Sequence, residues 1–343
     1  MDSLTQIVLG ASVGEAVLGK KVGNKAALWG GICGTIPDLD VLANVWMGEL
    51  DALVAHRGVT HSIAFSIVMA PIVGHLIHRI YKKNRGSPKG WSLLAFWALL
   101  THPLLDCFTS WGTQLFYPFS SVRVAFNTIF VADPAYTVPF LLCLLVAMFL
   151  RQEKRARRIW NWAGIVISSL YLVLTVTNKF VVDAVFTNSL HRAGKSVERF
   201  STYPTPLNNI LWYVVAEEPS GYNVGLYSLV KDYNSPIAYT YVPKNHQLIQ
   251  GLDDNKVVET LQWVSKGYYA LEESDSTLIW HDLRFGLMNL WDEEVVGPPK
   301  FLFSYKLVKE NNEYVEISQE NGPPQDFPEG AIDRFWNRIW GRE

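Results

Sequence analysis

The sequence predicts a mainly α-helical, polytopic membrane domain followed by a soluble α+β domain, and three observations carry that prediction. The first is a contrast between halves. Residues 1–178 are rich in Leu, Val, Ala, Gly and Trp with charges confined to a few loops, whereas 179–343 are polar and hold no apolar run long enough to span a bilayer. The mean hydropathy of +0.09 therefore averages two unlike parts. The second is a series of six apolar runs, at 4–18, 26–41, 62–81, 91–108, 135–150 and 159–177. The third is that basic residues collect in alternate connections between those runs. A chain of 343 residues is long for one domain, and the division expected is 1–178 and 179–343.

Taken in order, the run 4–18 contains Glu15 and many small residues and reads as a re-entrant or half-inserted helix. It does not read as a signal peptide, because Met1-Asp2-Ser3-Leu4 lacks a basic region and no cleavage-like site follows. Several runs fall short of the ~20 residues a straight crossing needs. The stretch 111–131 is apolar but broken by Gly112, Pro118, Ser120 and Ser121, which predicts an irregular loop roofing a site. Cys33, Cys107 and Cys143 are scattered through apolar runs and read as small hydrophobes, not as a disulfide framework. In the polar half, 181–200 continues helically from the sixth run. Segments 210–217 and 224–230 flank Pro219-Ser220-Gly221 as a hairpin. Helical periodicity marks 256–265, strands are expected at 276–280 and 301–308, and 331–340 reads as a closing amphipathic helix.

Orientation follows from the basic residues. Lys20, Lys21 and Lys25 follow the first run; Arg79, Lys82, Lys83, Arg85 and Lys89 follow the third; Arg151, Lys154, Arg155, Arg157 and Arg158 follow the fifth. The opposite connections carry only Arg57 and Arg123. The positive-inside rule then predicts a multi-pass protein of a bacterial-type inner membrane, with 179–343 on the extracytoplasmic side. A net charge of −2 gives no sign of a nucleic-acid partner.

Three motifs carry the chemistry: Pro37-Asp38-Leu39-Asp40, His56-Arg57-Gly58-Val59-Thr60-His61-Ser62 and His102-Pro103-Leu104-Leu105-Asp106. Counting crossings places all three at one membrane face, the extracytoplasmic one. Imidazoles and carboxylates are costly at membrane depth, so their convergence predicts a site, with metal ligation as the compensation. On a helix, His102 and Asp106 lie one turn apart on one face and can grip the same ion. Asp38, Asp40, His56, His61, His102 and Asp106 are the candidate ligands. Their N/O donors suit zinc first, and also manganese or iron, any of which lowers the pKa of bound water toward neutral. Arg57 and Asp38 are the candidate catalytic groups, Arg57 as a contact to a phosphate oxygen. Thr60 and Ser62 flank His61 as second-layer partners, Ser62 also as a helix N-cap. Glu15 is a possible additional ligand. The bland alternative is a set of caps and buried polar pairs, and the competing functional one is an ion- or proton-coupled transporter or channel using the same groups. His191, His246 and His281 read as ordinary surface residues.

The order and spacing of these motifs, extended through Cys107-Phe108-Thr109-Ser110-Trp111-Gly112, resemble the YdjM-type membrane-bound metal-dependent hydrolases. That family shows PD-hydrophobic-D, HRG-hydrophobic-THS and H-x-x-x-D-x-x-T-x-x-G in the same order. It is similar, more distantly, to the zinc-dependent phospholipase C and P1 nuclease group. The resemblance covers about residues 1–150 and implies metal roles for Asp38 or Asp40, His56, His61, His102 and Asp106. Many relatives carry a His where this chain has Gln6 after Thr5, so Glu15 is the expected compensation and Gln6 and Glu15 are possible additional site residues. The expected activity is hydrolysis of a phosphoester by metal-activated water, with a membrane lipid or lipid-linked substrate as partner.

Overall fold

The computed structural model describes residues 1–81, 86–274, 277–287, 299–310, 313–321 and 330–342. Lys82, Lys83 and Arg85 of the expected cytoplasmic loop lie outside them. The chain separates into two compact units, one comprising Met1–Val45, Ala55–Val176 and Pro206–Asn208, the other Trp46–Val54, Thr177–Thr205 and Asn209–Glu343.

The first unit is helical. Helix α1 (Ser3–Gly14) runs into a π turn at Glu15–Gly19 and the short α2 (Lys20–Val22), and α3 (Asn24–Thr35) returns against α1. Glycines make that approach possible. A Cβ on Gly10 would lie 2.4 Å from the Gly30 carbonyl, and one on Gly14 2.3 Å from that of Ala26, the small-xxx-small packing of membrane helices. The run expected as one span at 26–41 instead ends its helix at Thr35 and tightens into a 3₁₀ segment, Pro37–Val45, because Pro37 has no amide to continue the ladder. Helix α4 (Glu49–Ala55), which belongs to the second unit as far as Val54, and a 3₁₀ turn at Val59–His61 lead to α5 (Ile63–Ile80). Then follow α6 (Pro88–Asp106), α7 (Pro134–Phe149) and the 38-residue α8 (Arg155–Arg192).

Helices α5 and α8 are long and apolar enough to cross a membrane, and only 22% and 17% of those windows are buried. A core helix of a soluble protein would be mostly buried, so these apolar faces suit lipid. The expectation of six spans thus narrows to two by length and composition; α7 is apolar but shorter. Segment 111–131 is irregular as expected, pinned by a bridge between Thr113 and Val124.

The second unit is built on two antiparallel four-stranded sheets. One is β1 (Arg199–Pro204), β2 (Leu211–Glu217), β3 (Gly221–Ser228) and β4 (Tyr239–Pro243). The other is β5 (Tyr269–Ser274), β6 (Thr277–Asp282), β7 (Ser304–Glu310) and β8 (Glu313–Asn321). The expected hairpin is the β2–β3 pair, with Val215 opposite Val224. Trp212, Val214, Ala216 and Tyr227 pack one face of the first sheet on Val182, Val185, Phe186 and Leu190 of α8. Tyr213, Val215, Tyr222 and Val224 bury the other face against Tyr268, Ala270 and Leu283. Helix α9 (Lys256–Val264) covers the second sheet through Val257, Val258 and Leu261. Leu50 of α4 joins that same core beside Tyr269 and Trp280, and its amide donates to Glu316 Oε1 at 2.7 Å. The chain therefore passes through the second unit between its Asp38/Asp40 and His56/His61 motifs. Helix α10 (Ala331–Ile339) closes the unit.

Candidate metal centre

Side chains two apart on a 3₁₀ segment point about 120° away from each other, and this divides the aspartate pair. Asp38 Oδ1 lies 3.3 Å from His102 Nε2 and 3.6 Å from His61 Nε2. Asp40 turns the other way, with Oδ1 3.2 Å from His56 Nδ1 and Oδ2 accepting the Arg57 amide at 2.7 Å. His102 and Asp106, one turn apart on α6, bring Nε2 within 3.4 Å of Asp106 Oδ2. His61 ends the turn before α5 and sets its Nε2 3.3 Å from the same oxygen. One donor atom each from Asp38, His61, His102 and Asp106 fits within 4.8 Å of the other three.

The outer nitrogens define the rings' orientation. His102 Nδ1 lies 2.6 Å from the Gly34 carbonyl, which accepts and cannot donate, so this nitrogen carries the hydrogen. His61 Nδ1 faces Asp40 Oδ2 at 3.3 Å and Thr60 Oγ1 at 3.1 Å. An outer carbonyl or carboxylate holding one nitrogen is the arrangement that frees the other as a ligand. The two Nε2 atoms then face each other at 3.1 Å. With the outer nitrogens engaged, both Nε2 atoms face the space where a cation would sit. Asp106 Oδ2 is buried without a hydrogen bond. Oδ1 of the same carboxylate is taken by the Met1 α-amino group and, at 3.0 Å, by Gln6 Nε2. Two imidazole nitrogens and two carboxylates, one of them with a buried oxygen that makes no hydrogen bond, fit a divalent cation of the zinc class.

The remaining expected residues divide clearly. His56 stands beside the group, joined to it through Asp40 and 28% exposed at its side chain. Thr60 reaches His61, whereas Ser62 accepts from the Phe65 amide and caps α5. Gln6 holds Asp106 and the His102 carbonyl instead of joining the donor set. Glu15 lies elsewhere: Arg157 forks both its oxygens, at 2.7 and 2.6 Å. The possible additional ligand is thus not among the donors brought together here, because Arg157 already holds both its oxygens.

Arg57 is 5% exposed, sits at φ 59°, and donates from Nη1 to Thr109 Oγ1 at 2.8 Å. Its Nε stays 3.6 Å from Asp106 Oδ2 with no hydrogen bond of its own. A left-handed backbone on a non-glycine residue costs about 1–3 kcal/mol and persists where neighbours impose it. Thr109, to which the sequence reading gave no role, is the residue that anchors this guanidinium; the H-x-x-x-D-x-x-T spacing was its signal.

The second unit holds another histidine-centred set. His281 Nδ1 lies 2.7 Å from Ser304 Oγ, and Nε2 3.1 Å from Glu272 Oε2. Here the hydroxyl is buried and the carboxylate is 60% exposed, the reverse of what a nucleophile needs. Burial holds the His281 pKa below its ordinary value. His281 is thus a polar link between β6 and β7, stacked on Phe301, and not the surface residue expected.

The profile of the YdjM inner membrane protein family matches residues 1–181. The uncharacterized protein YfhP of Bacillus subtilis (strain 168) is 27% identical over 154 residues, 43% of this chain and 46% of that protein. The match thus spans about half the length of this curated relative. No solved structure matches the chain.

Proposed function

The chain belongs to the YdjM inner membrane protein family, and on that premise we propose that it is a metal-dependent phosphoester hydrolase acting on a lipid or lipid-linked substrate. The observation that carries the reading is the convergence of Asp38, His61, His102 and Asp106 within 4.8 Å around a buried carboxylate oxygen that makes no hydrogen bond. These four residues would hold the cation, zinc being the best match to two nitrogens and two oxygens. Bound there, it would supply Lewis acidity and lower the pKa of coordinated water.

The chain's own residues do the rest. Gly34 and Asp40 fix the two imidazoles so that Nε2 of each faces inward. Asp38 is 22% exposed at its side chain while the other three are fully buried, so water and substrate approach past its carboxylate. Arg57, braced by Thr109, presents a guanidinium beside the cluster, which suits a phosphoryl oxygen that gains charge in the transition state. A substrate anchored in the bilayer fits a site in a protein whose helices expose apolar faces.

The full burial of His61, His102 and Asp106 favours one second reading, an ion- or proton-coupled path. Elemental analysis of purified protein separates the two: stoichiometric zinc with turnover of a phosphodiester or phosphomonoester lipid supports the hydrolase, and a metal-free protein that moves ions supports transport. His102→Ala is expected to remove metal and activity while leaving insertion intact. If it unfolds the protein as chelation does, the centre is structural.

For topology, the proposal is multi-pass, with the basic connections cytoplasmic and the centre and second unit outside. Cysteines at positions 86 and 255 test it. An impermeant reagent should reach 255 and spare 86 in intact cells; the opposite pattern inverts the orientation.

A further inference from the structure

Helix α10 lies beyond the family match, which stops at residue 181. At about 100° per residue, its apolar side chains fill half of the helix. The second unit uses only part of that arc: Ala331 and Ile339 are buried, and the Ile339 carbonyl accepts from Ser228 Oγ. Phe335 is half-buried, and the rest stays open. Ile332, Trp336 and Trp340 recur every fourth residue as one stripe, 69%, 55% and 40% exposed. Arg334, Arg338 and Arg342 stand against two acids, Asp333 and Glu343, so 331–343 carry a net charge of +1.

We propose that α10 is an interfacial anchor that lies in the headgroup layer of an anionic phospholipid bilayer. Ile332, Trp336 and Trp340 enter the acyl boundary, and Arg342, which follows the turn at Gly341 past the helix end, meets lipid phosphates. Three observations select lipid over another occupant. Tryptophan with arginine on a short amphipathic helix is the composition of a membrane–water interface. The charge of the segment is opposite to that of the lipid. The helix is also delivered to the membrane: Phe180 and Val181 of α8 are still 71% and 42% exposed, and Val182 is already core of the second unit. Helix α8 runs unbroken from Arg155 to Arg192, which tethers the unit that holds α10 to the apolar stretch and raises its local concentration there. Nine residues would bind weakly when free; tethering makes the contact persist.

The test uses the full-length chain in nanodiscs of phosphatidylcholine, with and without phosphatidylglycerol. A spin label is attached at Trp336→Cys, at Ile332→Cys as a second reading of the same stripe, and at Glu259→Cys as an exposed control on α9. In anionic discs, the labels at 332 and 336 should be accessible to oxygen and shielded from an aqueous nickel chelate, with the reverse at 259. Arg342→Gln should lower the lipid-bound fraction relative to the free one by about fivefold, the effect of one cation at an anionic surface. Nickel accessibility at 332 and 336 equal to that at 259 in both lipids overturns the proposal. Shielding from oxygen and nickel together also overturns it, since that marks a protein partner or a second copy.

Discussion

Two buried ionic clusters in the helical unit invite comparison, because they solve the same problem in opposite ways. At Glu15, the carboxylate receives two donors from Arg157, whose Nη1 also reaches Asn24 Oδ1 at 2.6 Å and the Leu150 carbonyl at 3.0 Å. Gly19, one turn on, leaves the room this carboxylate occupies, since any Cβ there would lie 2.2 Å from it. Charges cancel and each guanidinium nitrogen has a partner. At Asp106 the carboxylate keeps one oxygen bare, two imidazole nitrogens point at it, and the nearest guanidinium stops at 3.6 Å. A closed fork is how a membrane protein tolerates charge, whereas a convergent set with donors left over is how it waits for a ligand.

The strongest way to break this distinction is at Arg157. Arg157→Ala leaves Glu15 buried and uncompensated and should cost about 3–5 kcal/mol of stability, read as a fall in the thermal midpoint of detergent-solubilised protein. Metal content of the fraction that remains folded should be unchanged. The double replacement Glu15→Leu with Arg157→Met should recover most of the loss, since a packed apolar pair replaces an ion pair nearly neutrally. If Arg157→Ala is harmless to stability but strips the metal, Glu15 belongs to the open cluster and the comparison fails.

Asp40 sharpens the boundary of the open cluster. It touches the outer nitrogen of His61 and the ring of His56, so it orients a ligand without joining the four. Asp40→Asn should weaken metal affinity about 10–100-fold, roughly 1.4–2.7 kcal/mol, in a chelator competition assay. Complete loss, as expected for Asp106→Ala, would make Asp40 a direct ligand and widen the centre toward the six residues that the motifs suggest.

The two clusters also differ in how far they can be read from sequence. His102 and Asp106 announce their shared face by a spacing of four, and the aspartate and histidine motifs join them once crossings are counted. Glu15 announces only that it needs a partner, because Arg157 is 142 positions away and sits in a basic loop that reads as a topology signal. The split of Asp38 from Asp40 depends on a 3₁₀ geometry that Pro37 hints at without specifying. Farther along, β2, β6, β7 and α9 carry apolar runs or periodicity. Strands β1 and β8 are polar along much of their length and form by pairing with neighbours. Leu50 lies among Glu49 and Asp51, and nothing local says that its helix packs on Trp280.

The smallest effect concerns a third ionic cluster, in the second unit, where water reaches part of the set. Glu217 accepts from Lys244 at 2.7 Å and from Arg199, whose side chain is 46% exposed. Burial pushes the Glu217 carboxyl up, but the hydrogen bonds from Lys244 and Arg199 outweigh it and leave the pKa lowered. A carboxylate with a folded pKa below its unfolded value adds stability that is present above about pH 4.3 and disappears as the pH falls through the folded pKa. Solvent screening limits that contribution to about 1 kcal/mol or less. Wild type should therefore exceed Glu217→Gln slightly in thermal midpoint near neutral pH, and the two curves should converge on acidification. An offset that persists below the folded pKa would mean that packing of the side chain, and not its charge, holds this corner of the sheet. The gradation from fork to open cluster to screened triad would then rest on the two clusters of the helical unit alone.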